Sequence, residues 1–572
     1  MKRILVALLL IFVSGSAALS QVGANASSGQ TAARVDAIFA RWNKPDSPGC
    51  ALAVIKDGRI VYERGYGMAN LEYDLPISPS SVFYAGSVSK QFAAMSIALL
   101  AQQGKLNLDD NIRKYLPELP DYNPPITIRH LIHHTSGLRD GWELIGLAGR
   151  RLDDPYSMDD ILELTQRQRE LNFTPGERHL YSNTGYWMLS LIVERASGKT
   201  LARYAEENIF KPLGMSHTRF NDDHTTILKN RAVGYAPRKE GGFRLDIVNN
   251  DLVGAGGVWT TVEDLALWDQ NFYSGKVGGP ALIKELLTPG TLNNGERLNY
   301  AFGLTISRYK GLPIVDHGGA LAGYRADLIR FPDQRFSVAC MCNFASANPG
   351  TFVRQVADIY LADQIKMDDA SAKKQAGGKD GVAGTVTLSP QQLARKAGVY
   401  WDSASEEAVR LYVAGGKLIL AADQGITLTP VTEDHFKVAG EQVDFFFDRP
   451  NSGGPPKLRE VAADGKPAVY EAVSPKALSP AEMNEFAGTY YSQELDARYV
   501  LLVQEGKLIL RRKRSRDIVL YSMLAYMLMN EDLGTLTFKR DSQNRVAGFS
   551  LNAGRVKHIS FARESQGSSN HR

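Results

Sequence analysis

The last third of the chain repeats itself. Leu388-Ser389-Pro390 returns as Leu478-Ser479-Pro480, and Gly398 and Tyr400 return as Gly488 and Tyr490. Gly416-Lys417-Leu418-Ile419-Leu420 returns as Gly506-Lys507-Leu508-Ile509-Leu510, and the offset is 90 residues throughout. A constant offset over separated motifs means two copies of one structural unit. Each copy begins with a short helical turn and continues as short apolar runs broken by Gly, Asp and Asn, the pattern of antiparallel strands joined by turns. The expectation is two small all-β, barrel-like domains, 388–475 and 478–565, each with its own core. Neither copy contains a cluster of catalytic residue types.

At 572 residues the chain is too long for one ordinary domain. Residues 32–365 mix helical and strand patterns. Two apolar-rich runs flank Asp57-Gly58, a strong hairpin signal. A helical pattern runs from about Ser87 to Gly104, with Phe92, Met95, Ala98 and Leu99 on one face. Two further strands, 325–331 and 335–343, flank the turn Pro332-Asp333-Gln334. Strands at both ends of a helical region predict an α+β fold, an antiparallel sheet flanked by helices in which the two ends of the region share one sheet. Residues 373–387, rich in Lys, Gly and Ala, read as a linker.

Lys2 and Arg3 precede an apolar run over 4–13, and small residues follow, with Ala18-Leu19-Ser20 at cleavage spacing. This is the pattern of a signal peptide over 1–20, so the chain is expected to be periplasmic or secreted. The run is too short to span a bilayer comfortably, and no later stretch is long and apolar enough, so no transmembrane span is expected after cleavage. The alternative is an uncleaved membrane anchor. A net charge of +4 and the lack of a basic tract interleaved with aromatics give no reason to expect a nucleic-acid partner. The three cysteines, Cys50, Cys340 and Cys342, are too few for a disulfide scaffold. All three read as small core residues, Cys340 and Cys342 sharing one strand face; a bridge from Cys50 to one of the others stays open in an exported chain.

Three short elements carry chemistry. In Ser87-Val88-Ser89-Lys90, helical spacing brings Lys90 to the Ser87 hydroxyl, and a lysine whose pKa is lowered can take the proton that makes serine a nucleophile. In Tyr181-Ser182-Asn183, a tyrosine beside a lysine can have a lowered pKa and serve as base and then acid, while Asn183 offers an amide to a substrate carbonyl and to the lysine. In His317-Gly318-Gly319, glycines let backbone approach a ligand, and the amides of Ala320 and Ser87 can then form an oxyanion hole. Each element alone is weak: a capped helix with a surface lysine, a loop tyrosine and a glycine-rich turn explain them as well. His130, His133 and His134 have helix-like spacing but no matching carboxylate or Cys ligand, so no metal and no other cofactor is expected. The basic run 511–516 reads as a solvated face.

In this order the three elements resemble the penicillin-recognising serine hydrolases, the superfamily of class C β-lactamases, D,D-peptidases, D-aminopeptidases and related esterases, whose pattern is S-x-x-K, Y-x-N and a [K/H]-x-G triplet. The segments Leu131-Ile132-His133-His134-Thr135-Ser136-Gly137-Leu138 and Gly254-Ala255-Gly256-Gly257-Val258-Trp259-Thr260-Thr261 match too. The resemblance implies the serine β-lactamase/transpeptidase-like fold, acylation of Ser87, proton traffic shared by Lys90 and Tyr181, and a substrate site at Asn183, His317, Gly319 and Ala320. A hydrolase domain followed by two barrels also resembles the three-domain D-aminopeptidases, in which one barrel reaches the site. The activity so implied is cleavage of an amide or ester in a small peptide, ester or β-lactam-type substrate, chiefly D-amino-acid-containing or peptidoglycan-like peptides. The alternatives are an esterase or β-lactamase of the same family and a penicillin-binding sensor with little turnover. Many β-lactamases carry lysine where His317 stands; a neutral histidine offers no cation to a penicillin carboxylate. Arg325 is a second candidate for that carboxylate, though an outward-facing strand residue is the commoner role for such an arginine.

Overall fold

The computed structural model describes residues 29–365, 386–421, 425–438, 443–448, 456–461 and 467–565. The expected signal peptide over 1–20 and nearly all of the expected linker over 373–387 lie outside these residues. Six strands form the main sheet: β1 (Cys50–Lys56), β2 (Arg59–Tyr66), β3 (Thr305–Tyr309), β4 (Leu312–Leu321), β5 (Tyr324–Phe331) and β6 (Phe336–Cys342). Their order is β3-β4-β5-β6-β1-β2, and every neighbouring pair is antiparallel. β1 pairs with β6, so the two ends of the 32–365 region do share one sheet. The β1–β2 turn places both Asp57 (φ 48°) and Gly58 (φ 82°) in the left-handed region that a tight hairpin turn requires.

β1 shows how the sequence positions the sheet. Cys50, Leu52 and Val54 face one apolar cluster, with a helix over 29–39 and the helix Pro349–Tyr360. Ala51, Ala53 and Ile55 face the other, with the helices that carry the site. An unbroken apolar run therefore marks a strand covered on both faces. Cys50 stands opposite Cys342 in the ladder and the two are bridged, while Cys340 is a free buried thiol. Of the two sequence readings of the cysteines, all three as core residues is thus corrected for Cys50 and Cys342: the register brings them together.

Three helices lie behind the sheet: α1 (Lys90–Gln102), α2 (Asn183–Ser197) and α3 (Val262–Ser274). α2 and α3 each end on a glycine in the left-handed region, Gly198 at φ 72° and Gly275 at φ 61°. α1 begins three residues later than its sequence pattern suggested, after a 3-10 turn over Gly86–Ser89. It is also not one-faced: every residue from Lys90 to Leu100 is buried, because α2 and the helices Leu201–Ala205 and Gly279–Leu286 pack around it.

Both repeats are closed, eight-stranded, antiparallel barrels, running from Gly398–Asp402 to Pro467–Val473 and from Gly488–Ser492 to Val556–Arg563. In each copy the Leu-Ser-Pro motif starts a helical turn: Ser389 and Ser479 cap it, with proline just inside. The first barrel has a core of its own. The core of the second is continuous with that of the 32–365 region, so the two pack as one body.

Candidate active site

Ser87 lies in the 3-10 turn ahead of α1, part exposed, and the turn abuts the far half of β4. Contact there is backbone to backbone. A Cβ on Gly86 (φ 54°) would come within 2.5 Å of the Ala320 nitrogen, and one on Gly319 within 2.1 Å of the Ala85 oxygen and 3.1 Å of the Ser87 nitrogen. Only glycine allows that approach, and it brings the Ser87 and Ala320 amides to one place. β3 pairs with β4 only as far as Asp316, so among the described residues the 317–321 segment has no strand on that edge.

Lys90 is wholly buried. Its Nζ lies 3.2 Å from Ser87 Oγ, 2.9 Å from Asn183 Oδ1 and 2.8 Å from the Ala255 carbonyl oxygen. Burial pushes its pKa well below the usual lysine value; the Asp140 carboxylate opposes this and the Arg555 guanidinium adds to it. In its neutral form an amine so placed has two hydrogens for Asn183 and Ala255 and a lone pair free for the Ser87 hydroxyl. That is the geometry of a general base on a serine.

Asn183 is held by Asp140, whose Oδ2 accepts from the Asn183 backbone N–H at 2.8 Å and from its side-chain amide at 2.9 Å. Fixing the amide that way leaves Oδ1 for Lys90. Tyr181 carries Lys90 Nζ 4.7 Å from its ring centroid and lies tilted by 34° against His134, ring centroids 4.2 Å apart. Its pKa is raised, not lowered as the sequence suggested. Desolvation outweighs the opposing hydrogen bond with Ser87 and the field of Arg555, so Tyr181 is a phenol at neutral pH.

His317 is buried against Tyr300. The pair Tyr300 Oη and His317 Nε2 is 3.0 Å apart, and His317 Nδ1 is 2.6 Å from the Gly318 carbonyl oxygen. A carbonyl can only accept, so Nδ1 carries the proton and Nε2 accepts from Tyr300. Burial pushes the His317 pKa down to about 4, and the ring is neutral. His130, His133 and His134 do not converge on one point. Nδ1 of His130 and of His134 accept the backbone N–H of Thr127 and of Ser182, and His133 Nδ1 meets the Tyr300 carbonyl.

These groups line one cavity of about 600 Å³ that holds Ser87, Tyr181, Asn183, His317, Gly319 and Ala320. Arg325 lines it as well, with Nη1 donating to the Ala322 and Tyr324 carbonyls. The second barrel supplies a wall residue that the sequence did not point to, Arg555. It sits in the turn between the strands Val546–Ala553 and Val556–Arg563, 5.7 Å over the Tyr181 ring, and it pairs with Asp140 at 3.3 Å and Glu143 at 2.9 Å. Asp140 and Tyr300 were missed too. Asp140 lies two residues beyond the matched 131–138 segment, which was the available signal; Arg555 had none.

Residues 35–363 match the Beta-lactamase family. That match spans more than half of the chain, and the chain belongs to this family. Among curated proteins it is 31% identical over 320 residues to a D-aminopeptidase of Gluconobacter oxydans, covering 56% of this chain and 60% of that protein. It is 32% identical over 311 residues to penicillin-binding protein 4* of Bacillus subtilis, covering 52% of this chain and 68% of that protein. The chain thus spans less than two thirds of the D-aminopeptidase. Among solved structures, an octameric penicillin-binding protein homologue from Pyrococcus abyssi superposes with a TM-score of 0.52 at 22% identity, covering 82% of this chain and 95% of that one; this likeness is one of fold.

Proposed function

We propose that the chain is an exported serine hydrolase that cleaves amide or ester bonds through an acyl-enzyme on Ser87, with D-amino-acid-containing or peptidoglycan-like peptides as its substrates. The observation that carries this reading is the buried Lys90 amine facing Ser87 Oγ at 3.2 Å, its other hydrogen bonds accounted for. In acylation Lys90 takes the Ser87 proton as Oγ bonds to the substrate carbonyl carbon. The Ser87 and Ala320 amides hold the oxyanion. The phenol of Tyr181 passes its proton to the leaving nitrogen as the C–N bond breaks, and regains from the Lys90 ammonium the proton that Lys90 took from Ser87. Water then attacks the ester, its proton returning by the same groups, and Ser87 is released. The unpaired edge of β4 over 317–321 fits an extended peptide laid along the strand.

The D-amino-acid substrate class draws on the D-aminopeptidase relative. Export draws on the leader pattern and on the Cys50–Cys342 bridge, since disulfides persist in oxidising compartments. Among the described residues no helix is long and apolar enough to cross a membrane. Parallel assays with D-alanyl p-nitroanilide, its L-isomer, p-nitrophenyl butyrate and nitrocefin test the reading. The D-anilide is expected to give the highest kcat/KM; turnover of the ester or nitrocefin alone would contradict the substrate class.

A further inference from the structure

A guanidinium reaches the Ser87 cavity from the second barrel. Arg555 lines that cavity and lies 5.7 Å over the Tyr181 ring. Its Nη1 is 3.3 Å from Asp140 Oδ2, and its Nε donates to Glu143 Oε1 at 2.9 Å. We propose that Arg555 is a positioning residue for the Ser87 reaction: it compensates the buried Asp140 carboxylate, so that the Asn183 amide fixed by Asp140 holds Lys90 as a base rather than as an ion partner. The inference rests on the reading of Ser87 above and adds to it a residue outside the three motifs.

Asp140 is the joint. It is wholly buried, and a carboxylate so placed is costly to leave uncompensated. Its Oδ1 accepts the Trp142 and Glu143 N–H groups at the start of the helix Gly141–Leu147, at 3.1 and 3.4 Å. Its Oδ2 accepts the backbone N–H and the side-chain amide of Asn183, at 2.8 and 2.9 Å, and faces the Arg555 guanidinium. Asn183 Oδ1 in turn meets Lys90 Nζ at 2.9 Å. A polar path thus runs from barrel to base, Arg555 to Asp140 to Asn183 to Lys90. Arg555 compensates Asp140 by direct contact, and Lys90 reaches it through Asn183. Without the first cation, the second is drawn toward its ammonium form, which has no lone pair for Ser87.

The other groups around Lys90 do not take over this part. The Tyr181 and Tyr186 ring centroids lie 4.7 and 5.4 Å from Nζ, and burial keeps both phenols protonated. Burial pushes His134 and His317 down, so both rings are neutral. Asp140 and Arg555 are the charges that act on Lys90, the carboxylate favouring its ammonium form and the guanidinium opposing it. The place of Arg555 does not depend on its guanidinium alone. Its carbonyl accepts from the Asp140 N–H at 3.3 Å and from the Asn172 amide at 2.9 Å, and its N–H donates to Glu143 Oε2 at 2.5 Å. Loss of the side-chain charge therefore leaves the turn its backbone anchors.

The test is the pH dependence of Ser87 labelling by a fluorophosphonate, followed by intact-mass spectrometry on the full-length protein. A fluoride leaving group needs no proton from Tyr181, so the acid limb of the labelling rate reports protonation of Lys90. Arg555→Gln is expected to move that limb to higher pH by about one unit, the scale of one neighbouring charge. Labelling then slows about tenfold below the limb and recovers above it. Arg555→Lys, which keeps the charge, should hold the limb near its wild-type place. Asp140→Asn alone should move it to lower pH, and in that background Arg555→Gln should shift it less. Asp327, raised to about 7 beside Asp316 and Arg354, is common to every variant and drops out of the comparison. A limb unmoved by Arg555→Gln, moved as far by Arg555→Lys, moved as far in the Asp140→Asn background, or raised by Asp140→Asn alone would overturn the proposal. So would an equal slowing at every pH, the sign of a purely structural role. Wild-type protein that takes no label on Ser87 is the distinct failure of the underlying reading, and it removes this inference with it.

Discussion

At single residues of the site, burial shifts protonation more than any one neighbouring charge does. Lys90 has no solvent, one near carboxylate (Asp140) and one opposing guanidinium (Arg555), and burial is the largest influence on it. Lys90→Ala should leave the fold and lower the rate of Ser87 acylation by about a thousandfold or more, the scale of a lost general base; stopped-flow with an activated ester measures it. Asp327 offers a pH test of the same physics. It is buried beside Asp316, and desolvation with that neighbour raises it to about 7. Its neutral form is favoured in the fold, so the native state binds more protons than the unfolded chain between pH 4 and 7, and the group's contribution to stability falls as pH rises through that window. Asp327→Asn should therefore raise Tm at pH 8 relative to wild type and change it little at pH 4, by thermal melts. Ser87 with Lys90, and Tyr181 with Asn183, were legible as candidates because each pair has short local spacing, and His317 because its glycine triplet follows them in order. The Tyr181 shift was not, because desolvation depends on what packs around the ring, including an arginine that lies 374 positions away.

At the scale of elements, the β1–β6 pairing closes the hydrolase region, and the Cys50–Cys342 bridge fastens it across 292 residues. A cross-link over so long a loop restricts the unfolded chain, an effect of order 5 kcal/mol in the chain-entropy picture. Cys50→Ser with Cys342→Ser, or a reductant in the melt, should lower Tm by several degrees; an unchanged Tm would remove the bridge from the account. The strands and the hairpin were readable because period and turn residues are local signals. The all-round burial of α1 was not, since a pattern of one apolar face says nothing of small residues such as Ala93 and Ala94 packed on the other. Helix Gly141–Leu147 joins the site to the second barrel. Arg139, just before it, is wholly buried and donates to the Lys557 and His558 carbonyls and to Glu494. Arg139→Ala leaves those acceptors unpaired, and the barrel's contact with the site is expected to loosen first: amide exchange at 554–558 should rise before exchange in β1 or β6.

At the scale of the whole molecule, the repeat announced two barrels but not where they stand. One keeps its own core; the other shares a core with the hydrolase region and sends Arg555 to the site. Removal of residues 386–565 would expose that shared apolar surface, so the shortened protein should melt at lower temperature and self-associate, read by light scattering; a monomer with the wild-type Tm would refute the shared core. The basic run 511–516 also takes part: Arg512 donates to the Gly146 carbonyl while its neighbours are exposed, a docking role hidden in what reads as a solvated face. All of this serves one claim, that Ser87 is a nucleophile made reactive by a neutral Lys90. Intact-mass spectrometry of the full chain after treatment with a fluorophosphonate tests it most directly. A single adduct, mapped to Ser87 and lost in Ser87→Ala, is the expected result; no adduct on wild type, or an equal adduct on Ser87→Ala, would contradict the account.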